Sequence, residues 1–75
     1  MDRKDKIREA VYRRHSKGEI LSTAEIIECV TDCFPEIPVS SILPSDFCCN
    51  HTNKDKFSGK YHIFKKIRYA YYEVL

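Results

Sequence analysis

The sequence predicts a small α+β domain, with three helices, a short strand and a C-terminal two-stranded hairpin. Three observations carry that reading. Apolar residues recur at helical spacing through the first half of the chain, aromatic and β-branched residues crowd its last fifteen positions, and Gly and Pro punctuate the boundaries between. The 75 residues make one domain, 1–75, and 43% apolar with 32% charged residues is a globular composition. No apolar run approaches the roughly 18 residues of a membrane span. No apolar leader follows Met1-Asp2-Arg3-Lys4, so a cytoplasmic chain is expected. A domain of this size buries about 60–65% of its unfolded surface, which leaves little room for an enclosed catalytic pocket. No phosphate loop, carboxylate pair or triad is legible, so neither an enzyme nor a cofactor is expected.

The first helix is expected over residues 2–17. Ile7, Ala10, Val11 and His15 fall on one stripe, acid lies in the first turn, and Arg13, Arg14 and Lys17 lie in the last. Gly18 then suits a left-handed helix cap. Ile20-Leu21 has room for one short strand. Ser22-Thr23-Ala24-Glu25 has the form of a capping box, in which Ser22 accepts from the backbone of Glu25 and Glu25 folds back. The second helix then runs to about Cys33, with Ile26, Ile27, Val30, Cys33 and Phe34 on its apolar face, and Pro35 stops it.

After the connection Pro35–Pro38, residues 39–50 read as a third helix with Val39, Ile42, Leu43, Phe47 and Cys49 on one face and a kink at Pro44. The alternative is one short turn followed by a second helix capped by Ser45 or Asp46. Residues 51–56 are polar loop. Residues 61–65 and 69–75 read as strands, with Lys66-Ile67-Arg68 as a basic turn between them. A helix is the rival there, because Phe64, Ile67, Tyr71 and Val74 also repeat at three and four.

The net charge of +2 hides a strong pattern. Residues 1–17 hold seven Lys/Arg against three acids (+4), residues 19–36 hold five acids and no base (−5), and residues 54–68 hold six bases against Asp55 (+5). The four cysteines, Cys29, Cys33, Cys48 and Cys49, sit mid-helix or adjacent, which disfavours disulfides. Zinc on Cys29, Cys33, one of Cys48/Cys49 and His51 is the sharper alternative, but the spacing lacks a metal knuckle. Buried reduced thiols, with no metal site, are the expectation.

The order of elements resembles the winged helix-turn-helix, a DNA-binding domain, over essentially the whole chain. The residues that carry it are the Gly18–Glu25 entry, the turn at Pro35–Pro38, the Ser40–Asn50 stretch and the basic hairpin. Residues 42–50 also look like a stretch of small prokaryotic winged-helix domains. The resemblance implies that the third helix enters the major groove of double-stranded DNA with the hairpin as a wing beside it. Lys54, Lys56, Lys60, Lys65, Lys66 and Arg68 are then phosphate contacts, joined by Arg13, Arg14 and Lys17. Ser40, Ser41 and Ser45 are expected at base edges or phosphates, and Asn50 on adenine. Asp46 and the absence of Arg or Lys between Val39 and Asn50 count against DNA. A homodimer or protein partner is the rival, through Tyr61, Tyr69, Tyr71 and Tyr72, about half of which are expected to cover the core.

Overall fold

The computed structural model describes residues 2–50 and 59–75. Helix α1 spans Arg3–Arg14, with Asp2 as N-cap accepting from the Asp5 amide at 3.0 Å. Its apolar stripe buries Ile7, Ala10 and Val11, while His15, expected on that stripe, is the extended C-cap and only half-buried. The helix therefore ends three residues before the expected boundary. Gly18 does have a positive φ (+94°), yet it lies beyond the cap and serves the sheet, donating its amide to the Val74 carbonyl at 2.7 Å.

Strand β1 is Ile20–Ser22, and α2 follows at once as Thr23–Cys33. The capping box is formed in both directions: Ser22 Oγ accepts from the Glu25 amide at 3.2 Å and Glu25 accepts from the Ser22 amide at 2.9 Å. The C-cap is Phe34, directly before Pro35, as proline sterics require. Ile26, Cys29 and Val30 are buried, with Ile27, Cys33 and Phe34 packed partly against the same core.

Residues 39–50 do not form one kinked helix. They form two 3-10 turns, Val39–Ser41 and Pro44–Phe47, joined by Ile42 and Leu43 in extended geometry. Proline is the cause. Leu43 precedes Pro44 and is driven out of helical geometry (φ −114°, ψ 93°), so the chain restarts with Pro44 at the first position of the next turn. Val39 and Leu43, expected inside, are 57% and 49% exposed, whereas Ile42 and Phe47 are buried. Cys49 is also exposed.

A third 3-10 turn, Gly59–Tyr61, leads into strands β2 (Phe64–Arg68) and β3 (Tyr71–Val74). The hairpin expectation holds against its helical rival, but the turn is shifted. Lys66-Ile67-Arg68 belongs to β2, and the reversal is Tyr69-Ala70, with Ala70 at φ +65°. The register pairs Phe64 with Val74, Lys65 with Glu73, Lys66 with Tyr72 and, after a bulge, Arg68 with Tyr71. Strand β1 joins the far side of β3, giving an antiparallel sheet in the order β1-β3-β2.

One face of this sheet supplies Leu21, Phe64, Tyr72 and Val74 to a single cluster with Ile7, Val11, Ile26 and Val30 of the helices. The Phe64 and Tyr72 rings meet tilted at 5.8 Å. Among the described residues no buried side-chain nitrogen or oxygen lacks a hydrogen-bond partner. No helix among them is long and apolar enough to cross a membrane.

Candidate nucleic-acid interface

Strand β2 is where the basic residues of the second half gather. Only Phe64 is buried; Lys65, Lys66, Ile67 and Arg68 are all exposed. Alternation and the bulge sort them between faces. Lys65 and Arg68 lie opposite Glu73 and Tyr71 on the sheet's outer face, and Lys66 lies opposite the buried Tyr72. The Arg68 guanidinium stacks 4.4 Å from the centre of the Tyr71 ring. At the reversal, Tyr69 is 88% exposed. The tip is held by the Thr23 amide, which donates to the Ala70 carbonyl at 3.0 Å.

The other edge of β2 is covered by residues 48–50. Cys48 forms a parallel bridge with Phe64, and the Cys49 amide donates to the Phe64 carbonyl at 2.9 Å. The Asn50 side chain then continues the ladder. Its Nδ2 donates to the Lys66 carbonyl at 3.1 Å, and the Lys66 amide donates to its Oδ1 at 3.0 Å. The amide expected to pair with adenine is thus used on the protein's own backbone. It closes an edge that would otherwise present unpaired groups.

The remaining expected contacts that the structure describes lie on other elements than β2. Ser40 is exposed in the first 3-10 turn; Ser41 there and Ser45 in the second are half-buried. Lys60 sits against α1, where its carbonyl accepts from Arg8 Nε at 2.9 Å and its ammonium lies 5.0 Å from the Tyr61 ring centre. Lys54 and Lys56 lie outside the described residues. The structure joins Asn50 to Lys66 and places Lys65, Lys66 and Arg68 on one strand.

The two basic segments differ in what faces them. In the first, Lys6 meets Glu36 at 2.8 Å, Arg13 meets Glu9 at 3.0 Å and Arg14 meets Asp32 at 3.0 Å. The Asp32 hydrogen bond raises the Arg14 pKa, and Lys6 holds the Glu36 carboxyl below its ordinary value. Helix α2 therefore offsets α1 through Asp32, Glu36 does so from just beyond it, and Glu9 does so from within α1. Of the ion pairs among the described residues, none involves Lys65, Lys66 or Arg68.

The cysteines are free. Cys29 and Cys48 are buried, each thiol donating to a backbone carbonyl, of Ala10 at 3.3 Å and of Pro44 at 3.5 Å. Burial pushes both thiols up to about 11, so they stay protonated and unreactive near neutrality. Cys33 is half-buried and Cys49 exposed. Among the described residues no group of three or more His, Cys, Asp or Glu side chains gathers as a metal site needs; His51 lies outside them. Two open clefts lie among the described residues. One of about 290 Å³ is lined by Arg14, His15, Glu25, Glu28 and Cys29, and one of about 480 Å³ by Asp5, Arg8, Glu9, Tyr12 and Arg13.

A family model described as Domain of unknown function (DUF7225) matches residues 3–75. The chain belongs to this family. The DUF7225 match takes in both helices, the sheet and the hairpin. Comparison with the curated proteins and with the solved structures finds no match.

Three features of the surface were not legible beforehand. The clasp by Asn50 links positions sixteen apart through a side chain, which no local pattern signals. The hydrogen bond from Tyr12 to the Leu75 carbonyl and that from Arg8 to Lys60 join distant segments in the same way. Of the four tyrosines expected to divide between core and surface, Tyr61 and Tyr72 are buried, while Tyr69 and Tyr71 are exposed.

Proposed function

We propose that the chain is a non-enzymatic, winged-helix-type nucleic-acid-binding domain that holds duplex DNA through the phosphate contacts of its β2–β3 wing. The observation that carries this reading is the contrast between the two basic segments. Lys6, Arg13 and Arg14 of α1 are offset by Glu36, Glu9 and Asp32, whereas Lys65, Lys66 and Arg68 are exposed on one strand without an ion pair among the described residues. Exposed cations carried on a ribbon meet a phosphate backbone and release its counterions. The element order supports the winged-helix part of the reading, with two 3-10 turns where the third helix of such a domain belongs.

A turn of four residues is too short to lie along a major groove as a reading helix, and Asn50 is already engaged. The contact is therefore backbone-directed and largely independent of base sequence. Net charge of +2 limits it to weak affinity, micromolar or weaker at physiological salt. Titration of labelled duplex DNA tests this. Replacing Lys65, Lys66 and Arg68 together with Gln is expected to weaken binding equally for unrelated sequences and to reduce the slope of log K against log salt by about 2 to 3. Replacing Arg13 and Arg14 with Gln is expected to leave both nearly unchanged. Equal losses from the two sets contradict the proposal.

The exposed Val39 and Leu43 favour a second reading, a protein-interaction or dimerisation surface on the 3-10 turns. Mass measured across concentration distinguishes it. A dimer that Val39→Ser and Leu43→Ser dissolve, without change in DNA affinity, supports that reading.

A further inference from the structure

The tip of the hairpin carries a feature that phosphate binding does not use. Tyr69 is 88% exposed, so its ring buries almost nothing and adds little to the fold. It is nonetheless held in place. It stands in a two-residue reversal closed by the Arg68–Tyr71 pair and tied to the start of α2 by the Thr23–Ala70 hydrogen bond. Two positions on, Tyr71 is 37% exposed and carries the Arg68 guanidinium at 4.4 Å, so a planar cation lies over a planar ring. Lys65 shares that outer face. Exposed rings and a guanidinium plane beside unpaired cations form a surface on which nucleobases stack while the lysines follow the phosphates. Bases inside a duplex offer no free faces to such a surface; unpaired bases do.

We infer that Tyr69, Tyr71 and Arg68 form a stacking surface for unpaired nucleobases, so that the preferred ligand is a nucleic acid with a single-stranded segment. The inference rests on the nucleic-acid reading above and adds the class of ligand to it. The lysines of β2 supply attraction without regard to base pairing, and the rings at the tip supply the preference.

The test uses the full chain and three DNA ligands: a blunt duplex, the same duplex with a single-stranded thymidine tail, and that duplex with an abasic tail of equal length. The abasic tail carries the phosphates without the bases. The thymidine tail is expected to bind about 5- to 150-fold tighter than the abasic one, the range of one stacked base. It is also expected to quench the tyrosine fluorescence of a chain without Trp. Tyr69→Leu is expected to remove most of that difference and leave affinity for the blunt duplex unchanged, while Tyr69→Phe retains it. Because Tyr69 is almost fully exposed, neither variant threatens folding. Equal affinity for the two tails, or a preference that Tyr69→Leu leaves intact, overturns the inference while the phosphate reading stands. A change in mass of the Tyr69→Leu variant without change in affinity also overturns it, in favour of self-association. No binding to any ligand at low salt removes the nucleic-acid reading itself. An RNA tail of the same length separates ribose from deoxyribose ligands.

Discussion

Asn50 shows how one side chain can stand in for a piece of strand. Its amide meets both backbone groups of Lys66, and each bond contributes about 0.5–1.5 kcal/mol net. Asn50→Ala is therefore expected to lower unfolding free energy by about 1–2 kcal/mol in a urea titration, and Asn50→Asp, which keeps only the acceptor, to fall between. The bidentate chemistry was legible in the residue type. Its partner was not, because an amide that suits adenine suits a strand edge equally well, and only the fold chooses. Ala70 is the converse case. Its φ of +65° is a geometry that suits Gly, and nothing in Tyr69-Ala70 announces a turn. Ala70→Gly is expected to raise the thermal midpoint, by up to about 1 kcal/mol of stability, since the relief of the left-handed strain exceeds the added chain entropy.

At the scale of elements, α2 was the most legible because each of its boundaries is set by local chemistry. Ser22 and Glu25 satisfy each other's amides at the start, and Pro35 forbids continuation at the end. Ser22→Ala is expected to cost about 1 kcal/mol, read as a shift in the urea midpoint. The hairpin was legible in kind but not in register. Lys66-Ile67-Arg68 looked like a turn because it is basic and polar between aromatic runs. Pairing of Phe64 with Val74, which brings two buried side chains together, instead carries β2 through those cations and leaves Tyr69-Ala70 to reverse the chain. This bears on function, since cations on a strand are divided between its faces, with Lys65 and Arg68 on the outer one and Lys66 opposite Tyr72, rather than clustered at a tip. Residues 39–50 failed as a helix for a single local reason, Pro44, and with that helix went the expected reader of base edges.

For the whole molecule, the charge pattern is read along the sequence, and the fold decides which charges meet. The +4 and −5 segments fold against each other through Lys6–Glu36 and Arg14–Asp32, whereas none of the three cations of β2 has an ion pair among the described residues. The same packing sets a pH window. Tyr61 holds Asp5 below its ordinary value, the Ser22 amide and hydroxyl hold Glu25 below its own, and Lys6 does so for Glu36. A carboxyl lowered in the folded state adds stability that is present above its ordinary pKa and is lost as pH falls through the folded value, so the thermal midpoint is expected to drop below about pH 4. Cys29 and Cys48 work in the opposite direction. Raised to about 11 from an ordinary 9.0, they favour the fold below pH 9 and lose that contribution as pH rises from 9.0 to about 11. The central claim is that the exposed cations of β2, and not those of α1, meet nucleic acid. It is tested most directly by following backbone amide chemical shifts during a titration with duplex DNA at low salt. Shifts are expected to concentrate at residues 65–71, to be absent from Arg13 and Arg14, and to reverse with added salt. Shifts confined to α1 and α2, or no shifts at all, contradict that claim.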